Sequence, residues 1–137
     1  MKRIGFMVAL MLCLPVAAWA DAKADFFEAK IRPVLATHCF ECHGHKEKGG
    51  LKLDSRTAIL QGGDSGPAMV PGNPQKSLLM TAVQHTDPEL EMPPKKKLPP
   101  EVIADLSQWI RAGAVWPEGT PCLLGVFVAW RSNSFLL

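Results

Sequence analysis

The residues with the clearest chemical potential lie in one short segment, Cys39–His43, which reads Cys-Phe-Glu-Cys-His. In a Cys-x-x-Cys-His segment at the start of a helical turn, two thiols can add to the two vinyl groups of haem, and the adjacent imidazole can reach the iron. The segment therefore predicts covalent attachment of one haem c through Cys39 and Cys42, with His43 as the proximal ligand of the iron.

The same pair of cysteines allows three other interpretations: a disulfide, a thiol redox pair, or half of a zinc site. A thioredoxin-like pair is expected in a β-α-β context, which this sequence does not predict. Structural zinc needs a second close pair of ligands, whereas the chain offers only scattered histidines and the distant Cys122. We therefore favour haem attachment, and a thiol–disulfide protein without haem is the alternative.

The sixth position of the iron needs a donor from farther along the chain, and Met92 is the best candidate. It lies in Glu91–Pro94, where two prolines stiffen an extended loop, so a thioether can be held there at low entropic cost. Histidine–methionine ligation raises the reduction potential relative to bis-histidine ligation and suits electron transfer. Met69 and Met80 lie in apolar runs typical of a core, and His85 is a lone histidine at a helix end, so all three are weaker candidates.

Two charged features have both a functional and a structural interpretation. Arg56 can pair with a haem propionate, because a guanidinium matches a carboxylate with two hydrogen bonds, or it can be an ordinary surface arginine. Lys95–Lys97 can form a docking patch for an acidic redox partner. A run of like charges is usually only solvated, and we favour that interpretation.

A helix is predicted immediately before the cysteine motif. From Asp25 onwards, residues recur at helical spacing at Phe27, Ile31, Val34, Leu35 and His38. Pro33 has no backbone N–H, so the helix is expected to be kinked there or broken into two turns. Either geometry delivers Cys39 from a helical turn.

Two more helices are predicted in the second half of the chain. Ser77 is a candidate N-cap for a short helix that ends near His85, and Pro99–Glu101 opens a longer helix that stops at Gly113. The stretch 44–74 is rich in turn residues and is predicted to be an ordered loop region. Since no sustained alternation of period two occurs, the sequence predicts an all-α fold with much irregular chain. The longer helix has one apolar face, formed by Val102, Ile103, Leu106, Trp109 and Ile110.

The chain begins with the features of a secretory signal peptide. Lys2 and Arg3 precede an apolar run over residues 4–18, and Ala18–Ala20 supplies an Ala-x-Ala cleavage site. The run is short for a bilayer, so residues 1–20 are predicted to be removed on export to the periplasm or an equivalent compartment, with no stable membrane span. Removal leaves 13 basic against 13 acidic residues, which takes away the main reason to expect binding to nucleic acid or an anionic membrane.

The composition changes again after Trp116, where residues 117–137 form an apolar stretch without helix caps. We interpret this stretch as an atypical tail, which is either an exposed or strand-like addition or the truncated or misread end of a longer gene. Cys122 is the odd thiol once haem has taken Cys39 and Cys42, so it is either free or a sign that the tail is not native context.

From about Phe26 to Trp116 the chain resembles the planctomycete-type cytochrome c domain, a branch of the class I cytochrome c fold. The resemblance rests on the motifs at 31–43, 49–56, 62–67, 70–74, 77–79, 92–94 and 106–114. It implies haem thioether bonds at Cys39 and Cys42, with His43 and Met92 as axial ligands. It also implies a small helical domain, here residues 21–116, with long irregular loops around a covalently bound haem.

Three functional hypotheses follow. The first is a monohaem electron carrier that passes one electron between a donor and an acceptor protein, both unknown, and is not an enzyme. The second is a haem enzyme or gas sensor in which Met92 does not ligate and the sixth site is open, and the thiol–disulfide protein is the third. Because planctomycete-type domains commonly begin much longer proteins, the chain is alternatively the N-terminal haem module of a truncated larger protein.

Overall fold

The structure is a computed structural model, and it describes residues 22–117. The predicted signal peptide, the tail beyond Pro117 and Cys122 lie outside the described residues. Between residues 22 and 117 every named element is helical, and the only bridge of β type is an isolated one that joins Gly63 to Gly66. The all-α prediction is therefore confirmed for this part of the chain.

The helix before the cysteine motif changes pitch instead of ending at its proline. Residues 22–26 are helical, Phe27–Ile31 form a π-helical turn, and helix α1 covers Arg32–His38. Because Pro33 cannot donate one of the α-helical hydrogen bonds, the wider turn just upstream absorbs the mismatch. The predicted disturbance at Pro33 thus takes the form of a π turn, and the chain breaks only at Cys39.

Six further segments follow the break, and they alternate short helices with long loops. In chain order they are helix α2 (Phe40–His43), a 3₁₀ turn (Lys48–Gly50), helix α3 (Arg56–Gln61), a 3₁₀ turn (Pro74–Lys76), helix α4 (Leu78–Gln84) and helix α5 (Pro100–Arg111). The bounds of α4 and α5 agree with the sequence prediction.

Helix α3 lies in the region that the sequence predicts to be loop. It is six residues long and is followed by Gly62 at its C-cap, and six residues are too few for an apolar period to be visible. A local signal did exist, because the Ser55 hydroxyl caps the helix and accepts a hydrogen bond from the N–H of Ala58 at 3.3 Å.

Ser77 begins α4, as predicted, but its side chain does not cap the helix. Its hydroxyl is fully buried, accepts from the N–H of Val70 at 3.0 Å and donates to the carbonyl oxygen of Asn73 at 2.8 Å. Since a buried hydroxyl is costly unless it is hydrogen-bonded, these bonds fasten the 70–77 loop to the start of α4.

The domain has an apolar core built by its own side chains. Phe27 contacts Trp109 and Trp116, with ring centroids 5.6 and 4.5 Å apart, and the Arg32 guanidinium lies 4.8 Å from the centre of the Phe27 ring. The predicted apolar face of α5 packs against this core to different extents. Leu106, Trp109 and Ile110 are buried, whereas Val102 and Ile103 are half-buried. This core joins α5 to the helical segment 22–38 and so supports the start of the cysteine motif.

Candidate haem-binding site

A cavity of about 310 Å³ lies beside the cysteine turn and extends to the loop that follows α4. Its lining combines a few groups that can bind or ligate with a mainly apolar wall. The apolar wall consists of Leu51, Leu53, Ala68, Leu78, Leu79, Ala82, Val83, Leu90, Pro93 and Pro94. An apolar concavity with a few well-placed polar groups is typical of a cofactor site.

Four of the predicted site residues line this one cavity: Cys39, Cys42, His43 and Met92. The fold thus brings two thiols, an imidazole and a thioether to the same apolar surface. This donor set fits a c-type haem, which needs two thiols for attachment and two axial donors for the iron. The residues present therefore match the group that the motif predicts.

The cysteine turn is held together by its own backbone. The carbonyl oxygen of Cys39 accepts hydrogen bonds from the N–H groups of Cys42 at 3.1 Å and His43 at 2.8 Å. Both cysteines carry free thiols. The two attachment points and the imidazole are therefore ordered by contacts within five residues.

Burial raises the pKa of the Cys39 thiol from its usual 9.0 to about 11, because the apolar surroundings disfavour the thiolate. Cysteines that act in thiol–disulfide exchange instead have lowered pKa values and readily form the thiolate. The environment of Cys39 is thus unlike that of a redox-active thiol. It gives no support to the thiol–disulfide alternative.

The imidazole of His43 is oriented by the chain that follows it. Its Nδ1 lies 3.3 Å from the carbonyl oxygen of Leu51, and the N–H of Leu53 donates to the carbonyl oxygen of His43 at 2.7 Å. Because a carbonyl oxygen can only accept, this contact places the proton on Nδ1 and the lone pair on Nε2. Nε2 is therefore the nitrogen available to iron, as in metal-bound histidines whose other nitrogen is hydrogen-bonded.

The return of the chain from His43 to Leu51 depends on glycine. Gly49 and Gly50 both have φ of +64°, a left-handed conformation that glycine adopts without steric penalty. At Gly63 an added Cβ would lie 2.3 Å from the carbonyl oxygen of Gly49. The two Gly-Gly pairs that the sequence marks only as turns thus allow two loops to pack together beside the cavity.

Met92 approaches the cavity from a loop without regular secondary structure. Its side chain is 38% exposed, although most large apolar residues of the domain are buried. The N–H of Met92 donates to the carbonyl oxygen of Ala82 at 3.0 Å, and its own carbonyl oxygen lies 3.2 Å from Nε2 of His85. Helix α4 thus holds the Met92 backbone through both its N–H and its carbonyl oxygen.

A comparison with protein families bears on these interpretations. Residues 39–96 match the Planctomycete cytochrome C family. The match confirms the resemblance that the motifs indicate, and it runs from the cysteine turn past the Met92 loop. It supports haem-based electron transfer and an electron carrier over an enzyme. No curated protein and no solved structure matches the chain significantly.

The other predicted site residues lie elsewhere. Arg56 is outside the cavity lining, and its Nε donates to the carbonyl oxygen of Ala114 at 3.1 Å, so its pairing with a propionate stays a prediction. Met69 and Met80 are buried in the core, as predicted. The side chains of Lys95–Lys97 are exposed.

The cavity also contains a feature that the sequence interpretation missed. Among the described residues, Lys48 is the only lysine or arginine that lines the cavity, and its position beside the Gly-Gly pair is the one local signal for this. In the described part of the chain, no three His, Cys, Asp or Glu side chains could together hold a metal ion. No helix among residues 22–117 is long and apolar enough to cross a membrane.

Proposed function

We propose that this chain is an exported c-type cytochrome with one covalently attached haem, and that it carries single electrons between a donor and an acceptor protein. One observation carries the proposal: Cys39, Cys42, His43 and Met92 line one apolar cavity. In this proposal the two cysteines form the thioether bonds, and His43 and Met92 are the axial ligands.

When bound, the haem supplies an iron that alternates between the ferric and ferrous states, and no substrate bond is made or broken. The residues of the chain set the conditions for that exchange. The Leu51 carbonyl keeps His43 in the tautomer that presents Nε2. The apolar walls keep water away and favour the state of lower charge, and a thioether donor from Met92 acts in the same direction.

Export is proposed from the beginning of the sequence and from the type of attachment. Residues 4–18 with the Ala-x-Ala site at 18–20 have the pattern of a cleaved signal. Cytochrome c domains are typically extracytoplasmic, in agreement with this pattern. The donor and acceptor proteins are therefore expected outside the cytoplasm.

A second candidate function is a haem protein that binds a small ligand such as carbon monoxide, oxygen or peroxide. The placement of Met92 in a loop without regular secondary structure favours it, since such a loop could release the thioether from the iron. In the electron carrier Met92 stays bound and such ligands enter slowly. The rate of carbon monoxide binding to the reduced protein separates the two functions.

The test is a mass measurement of the mature protein, produced with a cytochrome maturation system, combined with a visible spectrum of the reduced form. We expect a mass raised by one haem that survives denaturation, together with the sharp bands of low-spin, six-coordinate iron. A Cys39→Ser, Cys42→Ser double variant is the control and should gain no covalent haem. A wild-type protein without the adduct would contradict the proposal, and an adduct that binds carbon monoxide rapidly would favour the second candidate.

A further inference from the structure

Helix α4 ends in a left-handed residue that carries a side chain. His85 has φ 52° and ψ 45°, the left-handed region that is most often occupied by glycine or asparagine at this place in a helix. Its side chain is only 16% exposed. A histidine in this conformation with a largely buried ring points to a role for the imidazole.

The ring is directed at the loop that carries the proposed axial ligand. Nε2 of His85 lies 3.2 Å from the carbonyl oxygen of Met92, which can only accept, so Nε2 carries the proton. Nδ1 lies 3.9 Å from a carboxylate oxygen of Glu91. His85 therefore links the end of α4 to the loop through its hydrogen bond to the Met92 carbonyl.

Met92 lies in a loop without regular secondary structure, so no helix or strand fixes its direction. Its position therefore depends on the hydrogen bonds of its backbone. Two hydrogen bonds hold that backbone, and both come from the last turn of α4: the Ala82 carbonyl oxygen accepts the Met92 N–H, and His85 binds the Met92 carbonyl. Of these two partners, only His85 uses a side chain.

We propose that His85 is a positioning residue that fixes the peptide plane after Met92 and thereby presents the thioether to the iron. The inference rests on the proposed haem ligation and adds a residue to it. By sequence, His85 is a rival of Met92 for the iron. Its Nε2 is instead hydrogen-bonded to the carbonyl oxygen of Met92, the favoured ligand. The imidazole acts through Met92 and does not bind iron.

The experiment compares four holoproteins: wild type, His85→Asn, His85→Gln and Thr86→Ala. Asparagine accepts the left-handed backbone but is too short to reach the Met92 carbonyl, whereas the glutamine amide can place an N–H near the position of Nε2. Thr86→Ala removes a different hydrogen bond at the same helix end, from Oγ1 to the carbonyl oxygen of Thr81 at 3.2 Å. It is therefore a matched control.

The readout is the ligation equilibrium, followed by the thioether-to-iron absorption band of the ferric protein during mild denaturant titration. We expect His85→Asn to raise the ratio of methionine-dissociated to methionine-ligated haem about fivefold, the effect of one lost hydrogen bond. His85→Gln should recover much of the loss, and Thr86→Ala should stay within about twofold of wild type. Carbon monoxide should also bind faster to reduced His85→Asn.

Two results would overturn the positioning role while leaving the proposed function intact. The first is a ligation equilibrium in His85→Asn that equals the wild type, and the second is an equally large change in Thr86→Ala. If wild type and Met92→Ala instead share one spectrum without the thioether band, the ligand assignment itself is wrong and this inference falls with it.

Discussion

The two sides of the cavity are built in different ways. On the side of Cys39–His43, the groups lie within five residues and the turn closes on the Cys39 carbonyl. On the side of Met92, the position of the thioether depends on hydrogen bonds to Ala82 and His85, and helix α4 in turn depends on Ser77 and the core. The groups proposed for haem attachment and proximal ligation are thus placed by local structure, whereas the proposed sixth ligand is placed by contacts across the whole fold.

The largest expected effect comes from a substitution on the Cys39–His43 side of the cavity. His43→Ala should abolish reversible electron transfer, because iron loses its proximal ligand and the low-spin state. The helical content should largely survive, since Phe27, Leu35 and Trp109 form a core that does not line the cavity. Voltammetry measures the electron transfer, and far-ultraviolet circular dichroism measures the helical content.

His45→Ala is the matched control, because His45 is exposed and lies two residues from the ligand. It should keep the wild-type potential. An unchanged spectrum in His43→Ala would show that His43 is not a ligand of the iron.

The second effect tests the other side of the cavity. Met92→Ala should retain covalent haem but lower the reduction potential by on the order of 0.1 V, within the roughly 0.8 V range over which axial ligands act. A redox titration measures it. Met92→His should restore low-spin iron at a low potential, and an unchanged potential in Met92→Ala would refute the ligand assignment.

A smaller effect tests whether the Met92 side depends on distant contacts. Ser77→Ala should lower the free energy of unfolding by about 1–3 kcal/mol, because the N–H of Val70 and the carbonyl of Asn73 lose a buried partner. Denaturant titration measures the change. Ser107→Ala, on the half-exposed surface of α5, should stay within about 0.5 kcal/mol of wild type, and equal effects of the two substitutions would contradict the role of Ser77.

The smallest effect concerns the Cys39 thiol in the haem-free protein. In the haem-free protein, alkylation of Cys39 should become half-maximal near pH 11, because burial raises the pKa of this thiol from 9.0 to about 11. The unfolded chain loses the proton first, so stability falls as the pH rises from 9 towards 11. Site-resolved mass spectrometry follows the modification, and the same profile in folded and denatured protein would show that Cys39 is not buried.

Much of the site could be predicted because its chemistry is encoded over short distances. The spacing of Cys39, Cys42 and His43 predicts a haem-attachment motif from five consecutive residues. Helices α4 and α5 were also predictable, since proline, an apolar period and a stop residue lie close together in each region. The resemblance to the planctomycete-type domain was carried by similarly local motifs, and the family match at residues 39–96 confirms it.

Tertiary structure decided what local patterns do not contain. Ser77 is a plausible cap by its type, but a buried loop competes for its hydroxyl, and Arg56 binds the Ala114 carbonyl, which lies 58 residues away. His85 is a possible iron ligand by its type, but in the fold its Nε2 is hydrogen-bonded to the Met92 carbonyl oxygen. The physical reason is common to all three: residue type and spacing determine which groups can bond, whereas long-range folding determines which partner is within reach.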